Sequence, residues 1–140
     1  MDPTIKKYID DKFDGLNRLF LEHMHQGPSV DQTKQIPNKR VSLKDAATID
    51  TNAILGNHFF CTLTGNRTLN NPTQARDGQH LVFELIQDST GSRTITLGSK
   101  FVAGAYTITL TTTASKRDFI ECIYSAEADK FYIILFSKNY

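Results

Sequence analysis

Between Gln79 and Leu97 the chain reads QHLVFELIQDSTGSRTITL, and the first half of that run carries apolar side chains on both faces of an extended backbone. Side chains alternate across a strand, so Leu81, Phe83 and Leu85 share one face while Val82, Glu84 and Ile86 share the other. Such a strand is stable only when both of its faces are covered. Asp88 to Ser92 are turn formers, and Thr94, Ile95, Thr96 and Leu97 alternate polar with apolar, so the stretch predicts two strands joined by a polar turn.

The rest of the region from Val41 to Tyr140 is cut into short segments by turn signals. These are Leu55-Gly56-Asn57, Gly65-Asn66, Asn71-Pro72, Asp77-Gly78, Gly98, Gly104 and Ala126 to Asp129. Strand character is read at Asp45 to Asp50, Phe59 to Leu63, Thr68 to Leu69, Tyr106 to Leu110, Asp118 to Tyr124 and Lys130 to Phe136. With no helical period between them, these segments predict a mainly β fold: an antiparallel jelly-roll-like β-sandwich over residues 46–140.

The last strand carries the expectation about assembly. Phe131, Ile133 and Leu135 face one way and Tyr132, Ile134 and Phe136 the other, and both sets are large and apolar. The preceding strand repeats the pattern, with Ile120, Cys122 and Tyr124 against Phe119, Glu121 and Ile123. A two-layer sandwich buries one face of each strand. Covering a second face of several hundred Å² at about 25 cal/mol per Å² is worth several kcal/mol per subunit, so an oligomer is expected. A central strand in a thick sandwich is the alternative.

Ahead of the β-region, Asp2-Pro3 is a helix-start signature. Ile5, Ile9, Phe13, Leu16, Phe20 and Met24 follow at steps of three and four, which predicts an amphipathic α-helix over residues 1–27, weakened at Gly15 and stopped by Gly27-Pro28. Its apolar stripe suits self-association or docking to a partner; folding back onto the β-domain is the alternative. Residues 28–45, with prolines at 28 and 37, read as an extended linker. At the helix end stand His23 and His25 in EHMHQG. If extended, the two imidazoles point the same way, and three chains would offer six nitrogens, an octahedral set suited to iron or nickel; solvated histidines near a helix end are the plainer reading.

Composition narrows the function classes. A formal net charge of +1 with no basic stripe gives no electrostatic footprint for nucleic acid. No apolar run nears the roughly 20 residues of a membrane span, and MDPTIKKYIDD lacks a signal-peptide core, so assembly in the cytoplasm without membrane insertion is expected. Cys61 and Cys122, set among apolar strand residues, are expected to be buried thiols. The histidines at 23, 25, 58 and 80 have no nucleophile elbow beside them, and no phosphate loop, Cys-x-x-Cys or His-Glu-x-x-His run occurs. Glu84 and Glu121 could lie near each other across strands, but they read as solvent-facing or interface-paired acids, and no enzyme is expected.

Six runs, taken in order, complete this reading: Leu55 to Asn57, Leu63 to Leu69, Pro72-Thr73, Asp77 to Gln79, Gln87 to Gly98 and Thr112 to Asp118. Together they resemble a C-terminal domain of bacteriophage tail fibres, spikes and related virion proteins, over roughly Ala47 to Tyr140. The resemblance implies a trimeric β-structure. The HMHQG run and Asp31 also look like the His-x-His-x-Gly element found before such domains, although the Gly-x-Asp-Ser spacing is absent. The expectation is a homotrimeric virion protein, a short fibre, spike or head-decoration element, attached to capsid, tail or baseplate through residues 1–27 and projecting its β-domain. A receptor-binding module for a host-surface glycan is the alternative, with Tyr106 and Tyr140 stacking on sugar rings.

Overall fold

The computed structural model describes residues 2–8, 10 and 39–140. The chain divides into two units, Met1–Gln35 and Ile36–Tyr140. In the first, residues 3–8 and 10 are helical, and the start is capped as its sequence dictates: the Asp2 carboxylate accepts from the Thr4 N–H at 2.8 Å. The remainder of the predicted helix, most of the linker, and His23 and His25 lie outside the described residues.

Among the described residues the second unit has nine strands: β1 Arg40–Ser42, β2 Thr48–Ile49, β3 His58–Leu63, β4 Arg67–Leu69, β5 His80–Gln87, β6 Ile95–Leu97, β7 Phe101–Val102, β8 Arg117–Ser125 and β9 Lys130–Ser137. They form a six-stranded sheet in the order β1-β3-β5-β8-β9-β7 and a three-stranded sheet in the order β2-β4-β6. The fold is mainly β, but the antiparallel expectation holds only for β5-β8-β9. β1, β3 and β5 pair in parallel, and so do β2, β4 and β6.

The departure has a physical cause. Gly65-Asn66 and the Asp88 to Ser92 run do not turn the chain back beside the strand it has just left; they carry it across to the other sheet. The chain therefore winds through three circuits, β1 to β2, β3 to β4 and β5 to β6, each laid in parallel on the one before. Thus β5 and β6 belong to different sheets and make no hairpin. Polar side chains close the corners. Asp45 accepts from Arg67 Nε at 2.6 Å and Nη2 at 3.0 Å and from Thr64 Oγ1, while Asn66 Oδ1 accepts from the Thr94 N–H at 3.1 Å. Buried Gln79 donates to the carbonyl of Ala53 at 2.8 Å.

Winding in register stacks like on like. Val41, Phe59 and Phe83 align across three strands, as do Ile49, Leu69 and Leu97. Phe59 and Phe83 stack with ring centres 5.8 Å apart, and Phe101 meets Phe83 edge-on at 5.9 Å. Leu81, Leu85, Ile120, Cys122, Phe131 and Ile133 complete the core from the six-stranded sheet.

β9 breaks its expected alternation. Glu121 pairs with Leu135 and Cys122 with Ile133, so Ile134 is an extra, bulged residue. Beyond it the faces exchange: Leu135 turns outward and Phe136 packs against the core, the reverse of their predicted sides. The predicted strand Tyr106 to Leu110 is likewise changed. Thr107, Thr109 and exposed neighbours alternate with inward Ile108 and buried Leu110, yet among the described residues the segment joins no ladder.

Candidate functional site

The outward face of the six-stranded sheet is not part of the core, and its pairing register fixes what stands there. Arg40, His58, Val82, Glu121 and Leu135 form one row across β1, β3, β5, β8 and β9. Ser42, Phe60, Glu84, Phe119 and Ser137 form the next, with Thr62, Ile86 and Arg117 beyond it. His80, Ile123 and Tyr132 flank the first row on its other side.

Glu84 sits at the centre, its side chain 3% exposed. It accepts from Arg40 Nε at 2.9 Å and Nη2 at 3.1 Å and from Arg117 Nη1 at 2.5 Å, and His58 Nε2 lies 2.9 Å from its Oε2. Burial alone would raise this carboxyl. The hydrogen bonds of Arg40 and His58 and the charges of Arg40 and Arg117 outweigh it and hold the group below its ordinary value. The Arg40 guanidinium also lies over the Phe60 ring, 3.6 Å from its centre. Glu121 is engaged separately, by His80 Nδ1 at 3.0 Å. The two acids weighed in the sequence thus share a face as diagonal neighbours, but each is held by bases of its own, and Glu84 is buried rather than solvent-facing.

The β8–β9 half of the face is of another character. Tyr132, Ile134 and Leu135 are 42%, 42% and 45% exposed, beside partly buried Ile123. Three large apolar side chains standing together in water on one strand are unusual for a closed domain.

The remaining candidates are accounted for locally. Cys61 and Cys122 are free and buried, and burial pushes their thiols up to about 11 and about 12, which leaves them unreactive. Tyr106 donates its hydroxyl to the Ile134 carbonyl at 3.0 Å, and the Tyr140 ring meets Phe119 edge-on at 5.5 Å. Among the described residues no group of three or more His, Cys, Asp or Glu is placed to hold a metal ion. The Glu84 cluster is what sequence reasoning missed. A charged residue inside an apolar strand is its signal, but its bases come from three other strands.

A parallel β-coil closed by an antiparallel pair, presenting one sheet face that is half ionic and half apolar, defines a β-rich domain organised around an exposed surface. Over residues 45–129 the chain matches the family described as "Putative phage tail fibre C-terminal domain", and no match was found among curated proteins. The match covers more than half of the 140 residues, and the chain belongs to that phage tail fibre family. It is a phage structural fibre component and a constituent of the virion.

Proposed function

We propose that the protein is a short homotrimeric fibre or spike element in which the outward face of the six-stranded sheet is where the copies meet. The observation that carries this reading is the exposed row Tyr132, Ile134 and Leu135 beside Ile123, an apolar surface on an ordered sheet of a protein that works on a particle. Burying it against a neighbour removes apolar area from water without cost in backbone hydrogen bonds, since β8 and β9 are already paired with each other. Residues 1–27 serve as the attachment to the particle and residues 28–45 as a spacer whose last part, from Arg40, is already held in the projecting domain through β1 and the Asp45 corner, with residues 46–140 making the rest of that domain. Sedimentation equilibrium at micromolar concentration tests the reading: a trimer mass is expected, and a stable monomer overturns it. Particle labelling then decides between head and tail.

A further inference from the structure

Arg40 is the first residue of the first strand, so a pull on the chain ahead of the β-domain reaches the sheet there. β1 is an edge strand of three residues, and among the described residues it pairs only with β3. So short a ladder at a sheet edge is a weak hold, because it peels one bond at a time. The Arg40 side chain changes that hold. It lies 3.6 Å over the centre of the Phe60 ring of β3 and bonds to Glu84 on β5, through Nε at 2.9 Å and Nη2 at 3.1 Å. The Glu84 side chain is 3% exposed, so water hardly competes for its oxygens, and Arg117 of β8 and His58 of β3 hold the same carboxylate from other sides. A pull on Lys39 therefore passes to β3 through the backbone and to β5 and β8 through Glu84, into the middle of the six-stranded sheet. Beyond β1 the chain is fixed in a similar way: Asp45 accepts two bonds from Arg67, at the start of β4. The strand is bracketed by ion pairs to strands other than its ladder partner.

We infer that Arg40 and Glu84 form a mechanical clamp, which keeps tension on the N-terminal side of the chain from peeling β1 off the sheet. This inference rests on the proposed attachment through residues 1–27 and does not need the trimer. The direction of pulling separates a clamp from a contact that only stabilises the fold. A clamp resists when the load enters through β1, whereas a stabilising contact slows unfolding from every direction.

The test is forced unfolding of the full chain at constant load in two geometries. In the first, the handles sit on the N-terminus and on Ser89→Cys, in the corner between β5 and β6; in the second, on Ser89→Cys and Glu127→Cys, a pair that leaves β1 outside the loaded path. Ser89 and Glu127 are exposed, and the native cysteines are buried and stay silent. Arg40→Met keeps an apolar stem over Phe60 and removes the bonds to Glu84. Its unfolding rate is expected to rise about tenfold in the first geometry and to stay within about twofold in the second. An equal rise in both makes Arg40 an ordinary stabilising residue, and no rise in the first shows that it carries no tension; either result overturns the inference. Should Arg40→Met fail to fold, Arg40→Lys, which keeps the charge but loses the two-point grip, is read in the same way, with a rise of about threefold in the first geometry alone. Antibody labelling of intact virions tests the attachment separately. An N-terminal tag hidden and a C-terminal tag open is expected, and the reverse sinks the attachment, and the clamp's role with it, whatever the pulling rates.

Discussion

Asp45 and Glu84 both keep their charge inside the β-domain, but by different means. Asp45 is held down to about 2 chiefly by the Arg67 hydrogen bond, against burial and with help from Thr64. Its folded value lies below its ordinary 3.8, so its contribution is present above that ordinary value and is lost as pH falls towards about 2. Urea unfolding should therefore lose about 2 kcal/mol from this group between pH 6 and pH 2.5, and Asp45→Asn should flatten that part of the profile. Glu84 is depressed as well, with the same sign, so acid weakens the domain from both sites. Glu84→Gln keeps the shape but leaves Arg40 and Arg117 without a counter-charge. Their side chains are 44% and 41% exposed, so water takes over part of the solvation, and the expected cost by urea titration is about 1 to 2 kcal/mol rather than the larger loss of a fully buried pair.

Each circuit of the coil depends on a few close approaches. Gly91 has φ +76°, and a Cβ there would lie 2.4 Å from the Thr112 carbonyl oxygen, where the Ser92 N–H also binds it at 2.7 Å. Gly91→Ala should therefore push the Thr112–Ala114 backbone away from the 91–92 corner and lower the melting temperature, while a change at Gly78, with open space around it, should cost less despite its φ of +76°. Phe83 is the centre of the stacked column, and Phe83→Ala should cost about 3 to 4 kcal/mol in chemical denaturation. The same elements explain how much was legible in the sequence. Alternation put Leu81, Phe83 and Leu85 on one face, which proves to be the inner one, and apolar neighbours marked the two cysteines as buried, because side-chain direction depends only on local backbone. Strand pairing was not legible. A glycine-asparagine corner reads the same whether the chain returns beside its own strand or crosses to a second sheet, and the choice is made by contacts such as Asp45 with Arg67 and Asn66 with Thr94. The β9 bulge was hidden for a similar reason: an unbroken apolar run carries no mark of the residue at which its faces exchange.

At the scale of the whole molecule, the core and the proposed contact lie on opposite faces of one sheet, so folding and assembly can be separated by substitution. Leu135 stands outward on β9 directly across from Glu121 on β8, and none of its exposed surface belongs to the core. Leu135→Lys places an ammonium beside that carboxylate, a cross-strand pair that sheets tolerate or favour, so the monomer fold should keep its circular dichroism and stay within about 1 kcal/mol of its urea stability. The surface offered to a neighbour changes much more, because a solvated cation replaces an apolar side chain within the proposed contact. If copies assemble as proposed, sedimentation at micromolar concentration should find the natural chain a trimer and Leu135→Lys largely monomeric. If the variant instead unfolds, the outward position assigned to Leu135 by the bulge is wrong; if it folds and remains a trimer, copies meet elsewhere on the domain.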